Sequence, residues 1–106
     1  MTDLPGPVTA TLAAANAHDT DAFLATFTAD GVVDDWGREF RGADAIRGWS
    51  DAEFIGVDVT LAVTGTTEED GATTVTADVG GRGFNGPSHF TFEVDGDRVA
   101  RMTIRA

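Results

Sequence analysis

Apolar and polar positions alternate with two different periods along this chain, and the change from one to the other divides it. From residue 7 to residue 17 the spacing is helical: Val8, Leu12 and Ala15 recur at intervals of four and three, behind Pro7 in the first turn. Asp19 or Thr20 then caps a second helix, with Phe23, Leu24 and Phe27 as its apolar stripe and Thr28 to Gly31 as its end. Two short strands follow around Gly37, Val32 to Trp36 and Arg38 to Arg41. A third helix opens at Gly42-Ala43-Asp44, with Asp44 favourable near its positive end and Ile46 and Trp49 on one face.

Beyond that point the period is two. Val57, Val59, Leu61 and Val63 alternate with polar or small residues, and so do Val75, Ala77 and Val79 after a turn at Glu68 to Gly71. A glycine-rich stretch from Gly80 to Pro87 precedes Phe90, Phe92 and Val94. Asp95-Gly96-Asp97 then makes a tight hairpin into a last strand from Arg98 to Ile104. Helices first and strands later, joined by short turns, predict an α+β domain with a mostly antiparallel, curved sheet. No repeat or linker interrupts residues 1–106, so one domain is expected.

Composition narrows the class. The 106 residues include no cysteine, which excludes disulfides and thiolate chemistry. No apolar run is long enough to span a membrane, and the N-terminus lacks the basic and apolar stretches of a signal peptide, so a cytoplasmic protein is the default. Eighteen acids against seven bases, all arginine, give a formal charge of −11. Such a surface repels nucleic acid and anionic membranes alike. No His-Glu-x-x-His, EF-hand or phosphate-loop spacing occurs, so neither metal nor cofactor is expected.

Few residues are left to carry chemistry. Asp34 and Asp35 are adjacent on a strand and point to opposite faces. Asp35 shares its parity with Val33, which places it inward at the open end of the strand. A carboxylate beside apolar groups has its charged form disfavoured, an environment suited to proton transfer. Ser88 and His89 are weaker polar candidates, and strand parity with Phe90 and Phe92 favours Ser88 as the inward one. Trp36, Trp49, Phe54, Phe84, Phe90, Phe92 and Met102 read as core or pocket wall, with Phe84 tucked inward from the glycine-rich loop and Arg82 outward. His18 in the helix–helix turn reads as a capping or solvent-exposed residue.

Two stretches carry a family likeness. Ala14 to Phe23 resembles the helical opening of small SnoaL-like proteins. Phe27-Thr28-Ala29-Asp30-Gly31-Val32-Val33-Asp34-Asp35, followed by Phe40-Arg41-Gly42-Ala43-Asp44-Ala45-Ile46, resembles the nuclear transport factor 2-like superfamily, which includes polyketide cyclases and ketosteroid isomerases. That resemblance implies a cone-shaped sheet around an apolar pocket, often in a homodimer. It places the isomerases' general-base aspartate on Asp35. Their oxyanion tyrosine falls near Thr11, in a chain without tyrosine, and their oxyanion aspartic acid falls at Ser88 or His89. Losing one oxyanion donor commonly costs about 10²–10³-fold in turnover, so true ketosteroid isomerase activity is not expected. Nor is the Asp-Arg-Asp arrangement of the superfamily's epoxide hydrolases present, Arg47 being the sole candidate arginine and better suited to a solvated face. Two functions remain: an isomerase or cyclase using Asp35 as general base, and a non-catalytic module that binds a small apolar ligand or dimerises over a filled cavity.

Overall fold

A computed structural model describes residues 4–106. The N-terminal half carries α1 (Gly6–Asn16), α2 (Thr20–Ala25), the hairpin β1 (Phe27–Asp35) and β2 (Arg38–Arg41), and α3 (Ala43–Glu53). A single 3-10 turn, Ile55–Val57, leads into β3 (Thr60–Glu69), β4 (Ala72–Gly80), β5 (Gly86–Asp95) and β6 (Arg98–Arg105). The strands form one curved sheet in the order β2-β1-β6-β5-β4-β3. All neighbours are antiparallel except β1 and β6, which run parallel.

Alternation decides which face of the sheet meets the helices. Val33 on β1, Met102 on β6, Phe90 and Phe92 on β5, and Val75 and Ala77 on β4 are buried on the inner face. Val8, Leu12 and Ala15 of α1, Phe23 of α2, and Ile46 and Trp49 of α3 close the core over them. Aromatic rings link the layers: Trp49 stacks on Phe54 with centroids 4.8 Å apart, and Phe54 lies 6.4 Å from Phe90.

The turn between α1 and α2 is stitched to the edge strand. Asn16 accepts from the Leu61 amide at 2.7 Å and donates to its carbonyl at 3.0 Å, as a neighbouring strand would. His18, with φ of 56°, lies 2.8 Å from the Val59 carbonyl through Nε2. Together these side chains occupy backbone groups that an edge strand otherwise leaves open.

Three boundaries differ from the periodicity reading. Phe27 to Gly31 belong to β1 rather than to the end of α2, and Gly31 is not a left-handed terminator but sits at an irregularity in the β1–β6 pairing. The cause is tertiary. The Val99 amide donates to the Thr26 carbonyl at 2.7 Å and Phe27 pairs with Val99, so β6 captures the chain as soon as α2 stops. Val57 lies in the 3-10 turn and strand pairing begins only at Thr60, because Asp58 turns the backbone left-handed at φ of 58°. The glycine-rich loop shrinks to residues 81–85, since β4 extends through Gly80 and β5 starts at Gly86.

Candidate functional site

Asp35 is delivered to the cone's open end by the β1–β2 hairpin. Trp36 and Gly37 form its two-residue turn with φ of 55° and 88°, and Asp35 pairs directly with Arg38 across it. One inward row of side chains then crosses the sheet: Asp35 faces Ile104, Ile104 faces Phe90, and Phe90 faces Val75. Asp35, Ile104 and Phe90 of this row border an open space on the inner face. A cavity of about 350 Å³ remains.

Its walls come from four places. The sheet contributes Ile104, Phe90, Ser88 and Val79, and the C-terminal end of α3 contributes Trp49, Glu53 and Phe54. Val57 and Val59 bring in the 3-10 turn and its exit, while Gly83 and Phe84 bring in the loop. Trp36 and Phe84 stand at the mouth, 58% and 56% exposed; Phe84 is therefore a rim residue and is not tucked inward. Arg82 anchors that rim. Its amide donates to the Val57 carbonyl at 2.8 Å, and its guanidinium donates to Asp58 at 2.7 Å and to the Gly56 carbonyl at 2.8 Å.

Polar groups in the cavity are few and ordered. Asp35 Oδ2 accepts from Trp49 Nε1 at 3.0 Å and from Arg38 at 2.5 Å. Both of its protein hydrogen bonds land on that one oxygen, and Oδ1 has no partner among the described residues. Arg38 also donates to both carboxylate oxygens of Glu53, at 2.7 and 3.0 Å. The guanidinium thus lies between two carboxylates, which raise its pKa, Glu53 contributing more than Asp35. The same hydrogen bonds hold Glu53 below the usual glutamate value. Ser88, 3% exposed, lines the cavity from β5.

The residues singled out from the sequence separate into two sets. Asp35, Ser88, Trp36, Trp49, Phe54, Phe84 and Phe90 come together around the cavity. Phe92 and Met102, 0% and 1% exposed, belong instead to the core beneath it. His89 is on the opposite face of the sheet, where its Nδ1 lies 2.9 Å from the Thr76 hydroxyl, because odd positions of β5 point outward. Thr11 is buried between the Pro7 carbonyl and the Thr26 hydroxyl, away from the cavity. Arg47 pairs with Asp21 at the surface. Among the described residues no three His, Asp or Glu side chains converge as metal ligands.

Asp34 has a different task from its neighbour. It is buried on the outer face, accepting from Arg105 at 3.0 Å, from Arg101 at 2.7 Å and from the Gly37 amide at 2.7 Å. These bonds, Arg105's foremost, lower its pKa to about 2 against the opposing effect of burial. Arg38 and Glu53 were not singled out from the sequence. Arg38 had a readable signal, since a two-residue turn at Trp36-Gly37 puts it opposite Asp35. Glu53 had none, because the packing of α3 brings it to the hairpin.

Comparison with known proteins bears on the family and the fold. The profile of the SnoaL-like domain matches residues 8–102. A candidate polyketide cyclase from Sinorhizobium meliloti is 31% identical, with a TM-score of 0.87 over 97% of this chain and 96% of that one. A protein of ketosteroid isomerase-like fold from Catenulispora acidiphila, in complex with trimethylamine, is 24% identical, with a TM-score of 0.81 over 98% and 87% of the two chains. Rv0760c from Mycobacterium tuberculosis, in complex with estradiol-17β-hemisuccinate, is 15% identical, with a TM-score of 0.80 over 98% and 95%. No curated protein matches the sequence. Helices closing one mouth of a curved sheet, a match along nearly the whole chain and a 31% identical structural relative agree: this chain belongs to the SnoaL-like domain family, within the nuclear transport factor 2-like fold.

Proposed function

We propose that this chain binds a small, largely apolar molecule in the cone and holds its polar end against Asp35. The observation that carries the proposal is the division of labour within one carboxylate. Oδ2 is fixed by Trp49 and Arg38, so Oδ1 is oriented without being occupied, in a cavity walled by aromatic and aliphatic side chains. A volume of about 350 Å³ suits a molecule of one or two rings. Fold relatives that hold trimethylamine and an estradiol derivative support a cone that takes small molecules.

Trp36 and Trp49 are the chain's only tryptophans and both line the cavity, so their fluorescence reports occupancy. A ring alcohol such as cyclohexylmethanol is expected to shift it saturably in the wild type and not in Val79→Trp judged on its own baseline, where the new side chain fills the space. An undiminished response in that variant places the probe elsewhere and sinks the proposal.

A second reading, proton abstraction beside a carbonyl, is supported by Ser88. Its hydroxyl lines the same cavity as the open Oδ1 and is able to donate to a developing enolate. Deuterium uptake into a bound ring ketone, followed by NMR in D₂O, is expected to stop in Asp35→Asn; the same rate in both proteins removes Asp35 as the base. The homodimer expected from the sequence remains part of this proposal, with light scattering at micromolar concentration as its check.

A further inference from the structure

The charge in the cavity lining does not balance. Among the described residues, Asp35 and Glu53 are its acidic groups and Arg38 is its one basic group. Arg38 is shared between them, with two hydrogen bonds to Glu53 and one to Asp35, so one formal negative charge is left over. The surplus is directed. Glu53 has both oxygens engaged by Arg38, whereas Asp35 has Oδ1 open beside aromatic walls. A neutral ligand covering that oxygen removes water from a charge and leaves it uncompensated, and an anionic ligand adds repulsion. A positively charged donor compensates it.

From this we infer that the cavity's ligand is a protonated primary or secondary amine on a small apolar skeleton. The inference rests on the binding reading above. The ammonium group donates to Asp35 Oδ1. Trp36 and Phe84 flank its path at the mouth and offer the kind of aromatic surface that attracts a cation. Ser88, whose side chain lines the cavity from β5, takes a second polar group of the ligand. The chain's charge of −11 also raises the local concentration of cations and lowers that of anions around the opening.

Three probes of one shape separate charge from shape: cyclohexylmethylamine, cyclohexylmethanol and cyclohexanecarboxylate, each titrated at neutral pH into the intact protein with tryptophan fluorescence as the readout. The amine is expected to bind at least about tenfold more tightly than the alcohol, and the carboxylate more weakly than either. Asp35→Asn is expected to bring the amine down to the affinity of the alcohol. Glu53→Gln frees Arg38 to neutralise Asp35 and is expected to erase most of the amine's advantage over the alcohol. Equal affinities for amine and alcohol, tighter binding of the carboxylate, or an amine preference that survives Asp35→Asn overturns the inference and leaves the binding reading intact. Failure of both amine and alcohol to bind overturns the two together.

Discussion

Two neighbouring aspartates show how far strand parity reaches. Parity alone sends Asp35 inward and Asp34 outward, and the structure places them so. It does not say what each meets. Asp34 is buried because Arg101 and Arg105, four residues apart on β6 and on either side of its partner Thr103, reach over it, and that contact exists only through the parallel pairing of distant strands. Its depressed pKa has a definite sign in stability. The unfolded chain holds the proton more tightly than the folded one, so the contribution is complete above about pH 4 and disappears as pH falls through about 2. Allowing for solvent around the arginines, Asp34→Asn is expected to cost about 1–2 kcal/mol at pH 7 and progressively less toward pH 2. Urea denaturation of both proteins at several pH values measures this; a gap that stays constant down to pH 2 shows that the charge of Asp34 is not its origin.

At the scale of elements, the helices and the four later strands are readable because each has a clean period and a turn at its end. The misread segments are those whose structure is imposed from outside. Phe27 to Gly31 continues a helical stripe in sequence, yet β6 draws it into the sheet. The glycine-rich loop, read as running from Gly80 to Pro87, is cut to residues 81–85 by the strands on either side and lies hard against the 3-10 turn. Gly81, at φ of +125°, leaves no room for a side chain: an added Cβ would lie 2.8 Å from the carbonyl oxygens of both Val57 and Asp58. Gly81→Ala is therefore expected to destabilise the protein by about 1–3 kcal/mol and to speed hydrogen exchange at the Arg82 amide, which is bonded to Val57. Gly65→Ala, with nothing within 4 Å of the added carbon, serves as the control. Equal effects in the two variants argue that the loop is not clamped.

For the molecule as a whole, the cone was legible because a pattern of helices followed by strands has few compact solutions, and the family likeness selects one. The cavity's electrostatics were not legible, since Arg38 and Glu53 meet only when α3 packs against the hairpin. Among the described residues, five of the seven arginines are in ion pairs, with six carboxylates between them, and the other carboxylates are exposed. Repulsion among those groups opposes compaction. The melting temperature is expected to rise as NaCl increases from about 0.05 to 0.5 M, because screening relieves this repulsion more than it weakens the exposed pairs. A falling melting temperature in calorimetry reverses that ranking.

The parallel seam also dictates an order of events during synthesis. β6 lies between β1 and β5, so the first hairpin has no place in the sheet until the chain has been made through residue 105. On the ribosome, β3, β4 and β5 are able to pair as they emerge, while β1 and β2 wait with an unpaired edge for a partner about seventy residues downstream. Such an edge invites pairing with other nascent chains. A protein of this topology depends on that interval being short or guarded, and slow translation late in the message is a greater hazard to it than slow translation early.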